Sequence, residues 1–381
     1  MQFELDDEQR ALQESVQRYF AHAHDFEKRR AMLATPCGHS PAIWQALAEQ
    51  GLLSIGLPDT HGGIGGATEL MLVMEEIGRA LVLEPYLSTL ALCAPLIGAR
   101  GTAAQQAELL PRIAAGGLKL ALAHGELDAR YDLERVATSA RRRGDVWELN
   151  GAKHTVPDGA VADLLVVSAR MEDGALALFL VAPDAPGVEI TRYRTHDGRS
   201  AADLGLRNAR VAPDQLLGDP SDAFPALERA VERGIAASCA DAVGAMEAVN
   251  VATIEYTKSR KQFGQPIGRF QALQHRMADM FVYATQARSM SFLANGRCAS
   301  EDAVLRRRDI AAAKCYVGKA ARFIGQQAVQ LHGGMGMADE LAVSHYFKRL
   351  TLFTQTFGDI AHHRAAFSET ILAEAIDAET L

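Results

Sequence analysis

The residues of this chain best suited to chemistry lie in a short basic stretch of its C-terminal half, Tyr256-Thr-Lys-Ser-Arg260-Lys-Gln262-Phe263-Gly264-Gln-Pro-Ile-Gly268-Arg-Phe270-Gln271. Two arginines and two lysines fall between Lys258 and Arg269, beside two phenylalanines, in a chain whose formal charge is −8. Cations at the end of a helix are favoured by its macrodipole alone. The same cations beside aromatic rings also suit a phosphorylated aromatic ligand, because a guanidinium matches phosphate oxygens with a planar, permanently charged fork. A second stretch, Gln330-Leu-His-Gly333-Gly334-Met-Gly336-Met337, follows a helical pattern. It reads both as a helix stop and as a place where another molecule could approach bare backbone closely. A third, His61-Gly-Gly-Ile-Gly-Gly66, is preceded by Pro58 rather than by a strand, so it reads as a tight turn and not as a dinucleotide loop.

Positioning such groups requires a substantial scaffold, and 381 residues suffice for two or three domains at about 150 residues each. Residues 1–118 carry helical periodicity, opening on a capping box Asp6-x-x-Gln9 and a stripe of Leu12, Val16 and Tyr19. Residues 119–222 change period. Apolar runs at Asp163 to Ser168, Ala175 to Val181 and Val188 to Tyr193 are separated by turn signals, which predicts a middle β domain. Residues 223–381 are helical again, and the 3-4 repeat Ile310, Ala313, Val317, Ala320, Ile324, Ala328, Leu331 predicts a long helix ending in a left-handed cap at Gly333. The fold class is α+β, mainly α, with helical and β blocks segregated rather than alternating.

Hydrophobic residues make up 48% and charged residues 23%, an ordinary globular balance. The acidic charge and the lack of a long basic run argue against nucleic acid or an anionic membrane as partner; Arg141-Arg142-Arg143 reads as a solvated turn. No apolar run approaches the roughly 20 residues of a membrane span, and the acidic N-terminus lacks the order of a secretory signal. Cytoplasmic location is the expectation. Cys37, Cys93, Cys239, Cys298 and Cys315 form no CxxC pair and read as small core residues in a reducing compartment, with no metal site.

The order of helices, strands and helices, together with Gly56-Leu-Pro58-Asp-x-x-Gly62-Gly63, Arg260-Lys-Gln-Phe263-Gly264-Gln-Pro-Ile-Gly268 and Gln330-x-x-Gly333-Gly334-x-Gly336, resembles the acyl-CoA dehydrogenase superfamily over nearly the whole chain. Arg130-Tyr131-Asp132-Leu133 and the stretch Cys239 to Glu247 resemble the small subunits of pimeloyl-CoA-type dehydrogenases. The resemblance implies an N-terminal helical domain, a β-barrel-like middle domain and a C-terminal four-helix bundle. It implies FAD as cofactor, an acyl-CoA substrate, an electron-transfer flavoprotein as partner, and a homo- or hetero-oligomer, tetramer or dimer. Arg260, Gln262 and Phe263 would touch the FAD diphosphate and its surroundings across a subunit interface, while Gln271, Gln330, Gly333 and Gly334 would approach the adenosine half.

The departures bear on chemistry. Phe357, in Thr356-Phe357-Gly358-Asp359, stands where most of the family has its catalytic Glu; Gly234 and Ile235 stand where its second solution has Glu and Arg. The flavin loop of Thr-Glu-Pro type is Ala123-His124-Gly125-Glu126 here, and the Trp-x-Thr-Asn-Gly loop is His154-Thr155-Val156-Pro157-Asp158-Gly159, leaving Thr155 as a hydroxyl near the flavin. Removing an α-proton needs a base, and Asp241 is the expected one. It lies seven residues after Gly234, on nearly the same helix face and roughly 10 Å along the axis, among small neighbours; Asp359 is the reserve. A buried partner for an arginine is the other reading of Asp241. The function expected is FAD-dependent α,β-desaturation of an acyl-CoA thioester. A non-catalytic subunit completing a partner's FAD pocket is the alternative, and a flavin oxidase or monooxygenase a third possibility. Ile235 in place of Arg permits a dicarboxyl, branched or ring-bearing acyl group.

Overall fold

The computed structural model describes residues 4–35 and 38–379, with side chains described as far as Leu372; Cys37 lies outside the described residues. Its helices and strands follow the sequence blocks, but its two compact units do not follow chain order. One unit comprises residues 1–30, 67–82 and 235–381, the other residues 31–66 and 83–234.

The first unit is helical. Its α1 (Asp7–Ala23) begins at the capping box that Asp6 and Gln9 form in both directions and buries Val16 and Phe20, with Tyr19 only half-buried. The short α2 (Phe26–Leu33) follows, and α3 (Pro41–Glu49) belongs to the other unit. The α4 helix (Ala67–Arg79), buried continuously from Leu70 to Gly78, meets α7 (Ala223–Ser259) at two glycines. A Cβ on Gly78 would lie 1.8 Å from the Asp241 carbonyl oxygen, and one on Gly244 would lie 1.8 Å from that of Glu75, so only glycine lets these backbones touch. The later helices are introduced below with their roles.

In the second unit, a π-helical turn (Leu87–Cys93), α5 (Ala94–Arg100) and α6 (Ala103–Ala114) precede a seven-stranded sheet. Its strands are β1 (Leu120–Ala123), β2 (Ser139–Arg143), β3 (Val146–Pro157), β4 (Leu164–Met171), β5 (Leu176–Val181), β6 (Val188–Arg194) and β7 (Ser200–Val211). They run in the order β1-β4-β2-β3-β7-β6, with β5 also paired to β4. The three runs expected from alternation are β4, β5 and β6. Ala140, Leu149, Val167, Phe179 and Leu204 are among its fully buried core side chains, and Trp147 packs edge-on to Phe179. His61–Gly66 is a tight turn: Gly62 is left-handed, and a Cβ on Gly63 would strike the Leu57 carbonyl oxygen at 1.9 Å.

After α7 come the two-residue strands β8 (Lys261–Gln262) and β9 (Gln265–Pro266), then α8 (Gln271–Arg297), α9 (Ala303–His332), α10 (Ala342–Phe353) and α11 (Ile360–Glu379). Every residue of the predicted 3-4 stripe on α9 is buried. Gly333 ends α9 at positive φ, but at φ 62° and ψ −144°, an extended mirror conformation open only to glycine rather than the left-handed cap expected. The segment Pro220–Ser259 is long and apolar enough to cross a membrane by length and composition, and 72% of its most apolar window is buried within the fold, as in a core helix.

Candidate active site

The basic motif folds as a hairpin at the end of α7. β8 pairs with β9, Phe263 takes φ +52° at the tip beside Gly264 at +79°, and the Phe263 ring is 90% exposed. Arg260, Lys261 and Arg269 are exposed, and their side chains have no hydrogen-bond or ion-pair partner among the described residues. Gln262, Gln271 and Gln330 are also exposed. Tyr256 stacks on His332 with ring centroids 4.2 Å apart, and its hydroxyl donates to the His332 carbonyl at 3.4 Å. This stack ties the start of the hairpin motif to the Gly333-Gly334 turn, so the two motifs that were remote in sequence are joined in space. A Cβ built on either Gly333 or Gly334 meets nothing within 4 Å.

Asp241 and Arg349 form the central ion pair of this helical unit. Arg349 Nε and Nη2 donate to the two carboxylate oxygens at 2.9 and 2.7 Å, and the residues are 1% and 4% exposed. Arg349 also donates to the Val82 carbonyl at 3.2 Å. It thereby completes a clamp on the end of α4, where Tyr346 Oη reaches Arg79 O at 2.5 Å, His24 Nδ1 reaches Ala80 O at 3.1 Å and Arg29 Nε reaches Leu81 O at 3.0 Å. Four consecutive carbonyls, that of the last α4 residue and three in the turn that follows it, are capped by four side chains, and Leu81 is held at φ +54°. A carboxylate gripped on both oxygens in this way matches the other reading of Asp241, a buried partner for an arginine. The sequence offered an arginine as a partner for Asp241 without indicating Arg349 or the other three capping side chains; their one signal was a set of polar and charged residues within apolar helical patterns.

The Thr356-Phe357-Gly358-Asp359 connection is fixed from below by two buried bases. His363 Nε2 donates to the Phe357 carbonyl at 2.9 Å, and Lys314 Nζ donates to the Phe353 carbonyl at 2.5 Å while lying 3.5 Å over the Phe353 ring. Burial lowers His363 to about 4 and Lys314 to about 8. Phe357 sits at φ +56°, and Asp359, half-buried, accepts the His362 backbone N–H at 2.9 Å through Oδ1. Its Oδ2 has no partner among the described residues.

In the sheet unit, the β3–β7 register slips between Lys153 and Val156, a bulge that pushes Thr155 to the surface at φ +51°. The Thr155 N–H donates to Asp203 at 2.8 Å, and the Tyr193 hydroxyl donates to the same carboxylate oxygen at 2.8 Å. The Ala123 to Glu126 loop lies beside this bulge, because the His154 N–H donates to the Gly125 carbonyl at 2.8 Å. Beneath it Lys153, fully buried, is held 2.6 Å from Glu126 Oε1. Burial lowers Lys153 to about 8; burial opposes ionisation of Glu126, but hydrogen bonds from Lys153 and Thr138 outweigh it and bring the carboxyl to about 2.

Comparison with known proteins agrees with this architecture. The acyl-CoA dehydrogenase N-terminal, middle and C-terminal domain models match residues 6–117, 121–208 and 224–372. The chain belongs to the acyl-CoA dehydrogenase family, FAD-dependent oxidoreductases acting on CH–CH bonds. It is 31% identical to the probable acyl-CoA dehydrogenase YngJ of Bacillus subtilis (strain 168) across 91% of this chain and 93% of that one. It is 30% identical to the 3-sulfinopropanoyl-CoA desulfinase of Paraburkholderia xenovorans (strain LB400), across 98% of each. A chain of the ChsE4–ChsE5 complex from Mycobacterium tuberculosis superposes with a TM-score of 0.88 at 26% identity, covering 98% of this chain and 99% of that one. The likeness to pimeloyl-CoA-type small subunits rests on the sequence segments alone.

The residues present fit FAD. Unpartnered cations, an exposed aromatic ring and two glycines open to close approach suit a planar ligand carrying a diphosphate, and they stand together at one end of the helical unit.

Proposed function

We propose that this chain desaturates an acyl-CoA thioester between its α and β carbons and passes the electrons to an electron-transfer flavoprotein, acting as a homo- or hetero-oligomer in the cytoplasm. The observation that carries this reading is the Arg260 hairpin joined to the Gly333-Gly334 turn through the Tyr256–His332 stack. Arg260 would hold the diphosphate, with Gln262 and Phe263 beside it; Gln271, Gln330 and the two glycines would receive the adenosine half, and Thr155 would offer its hydroxyl toward the ring. When bound, FAD supplies the acceptor for the β-hydride. The chain supplies the base. Of the two acids expected, Asp359 has one oxygen without a partner among the described residues and Asp241 has none, so we assign the α-proton to Asp359. The motif-derived oligomer agrees with a structural neighbour solved as a two-component complex. Cys93, Cys239 and Cys298 are buried as small core residues, which agrees with a reducing compartment.

Incubating the purified holoprotein with a panel of acyl-CoA esters and an artificial electron acceptor, then weighing the products, tests the reading. Loss of two hydrogens from one ester supports it. Flavin that binds only when a partner chain is co-expressed, with no product from this chain alone, points to the non-catalytic subunit instead.

A further inference from the structure

The loop that departs most from its family carries a histidine whose protonation state is fixed by its surroundings. His124 follows β1, and its Nδ1 lies 2.9 Å from Ser168 Oγ. Ser168 is fully buried and also takes a hydrogen bond from Lys153 Nζ at 3.0 Å. An ammonium has no lone pair, so Ser168 must accept from Lys153, and its own proton has His124 Nδ1 as the sole acceptor among the described residues. The imidazole is thereby set with its proton on Nε2. Every other polar group of the cluster is engaged. Lys153 uses its three donors on Glu126, Ser168 and the His124 carbonyl, and the two Glu126 oxygens accept from Lys153, Thr138 and the Ala137 N–H. The Nε2–H of the half-buried His124 ring is the one donor the network leaves open among the described residues.

We propose that His124 is a neutral hydrogen-bond donor to the pyrimidine edge of the flavin, oriented by the Ser168–Lys153–Glu126 relay, and that it raises the flavin's reduction potential. This rests on the FAD reading above and extends it to a residue no family motif supplies. The Gly125–His154 backbone bond sets the His124 loop against the bulge of Thr155, so the two altered loops form one surface. A second proton on His124 would place a cation near Lys153 and leave the Ser168 hydroxyl proton buried without an acceptor. Burial and the Lys153 charge accordingly lower His124 to about 4, while Glu126 and Asp132 pull only weakly the other way. A donor backed by a buried cation favours the electron-rich reduced ring over the oxidised one.

Two measurements on the holoprotein test this. Nitrogen NMR of histidine-labelled protein should show His124 protonated at Nε2 only and not titrating between about pH 5.5 and 8. In dye-coupled redox titrations, His124→Leu should shift the reduction equilibrium toward oxidised flavin about tenfold or more, ~30 mV for a two-electron couple. His124→Gln, which keeps an N–H donor, should recover part of that shift. A proton on Nδ1, or a Leu variant that retains FAD at the wild-type potential, overturns the proposal while leaving the FAD reading intact. A chain that never takes up FAD overturns both.

Discussion

Arg349 donates to both oxygens of the Asp241 carboxylate where the two side chains are only 2% and 6% exposed, and the same guanidinium caps the Val82 carbonyl. The pair therefore couples α7 and α10 to the end of α4, and removing either partner breaks a buried ion pair.

Asp241→Asn should lower unfolding free energy by about 3–5 kcal/mol in denaturant titrations. The flavin that remains bound should be reduced at the wild-type rate. Asp359→Asn should behave in the opposite way, keeping stability within about 1 kcal/mol, the scale of one helix cap, while slowing flavin reduction about 100-fold. Stopped-flow traces of both variants decide between the two acids.

Arg260→Ala removes an exposed cation that has no partner among the described residues, so the melting temperature of the flavin-free protein should not move. Affinity for FAD should fall about ten- to a hundredfold, the loss of one charge-assisted hydrogen bond, as read by equilibrium fluorescence quenching.

Glycine substitutions separate packing from cofactor contact. Gly78→Ala and Gly244→Ala each drive a methyl into a carbonyl oxygen across the α4–α7 contact and should cost about 3 kcal/mol or more. Gly334→Ala meets open space and should leave stability unchanged while weakening FAD binding.

Acid should destabilise the fold earlier than its carboxylates alone would. Burial lowers His24, His124 and His363 from 6.5 to about 4. Between those values the unfolded chain binds more protons than the native one, so stability falls as pH falls, by about 2 kcal/mol per histidine at pH 5. Glu75, raised by burial to about 7, opposes this: the native state takes up its proton first, and stability gains about 2 kcal/mol between pH 7 and 5. Three histidines outweigh one glutamate, so denaturation midpoints should drop over that range, and Glu75→Gln should steepen the drop.

Local periodicity carried much of this fold. The α9 stripe, the strands β4 to β6 and the Asp6 capping box all follow from near-neighbour pattern and formed where predicted. Packing between distant segments was not legible. Asp241 and Arg349 are 108 positions apart, and helical-face arithmetic placed the acid without revealing the guanidinium opposite it. The same holds for Lys153, whose partners come from a loop and another strand, and for α1 and α4, which join the C-terminal helices in one unit. The basic hairpin was readable because its residues are contiguous and bind one another little, leaving their chemistry exposed.

The most direct test is anaerobic: the purified, FAD-loaded chain is mixed with acyl-CoA esters of straight, branched, dicarboxyl and ring-bearing type while the visible flavin spectrum is followed. The account predicts that at least one ester bleaches the flavin and leaves the corresponding enoyl-CoA in equal amount. A flavin that dithionite reduces but no acyl-CoA bleaches would contradict it.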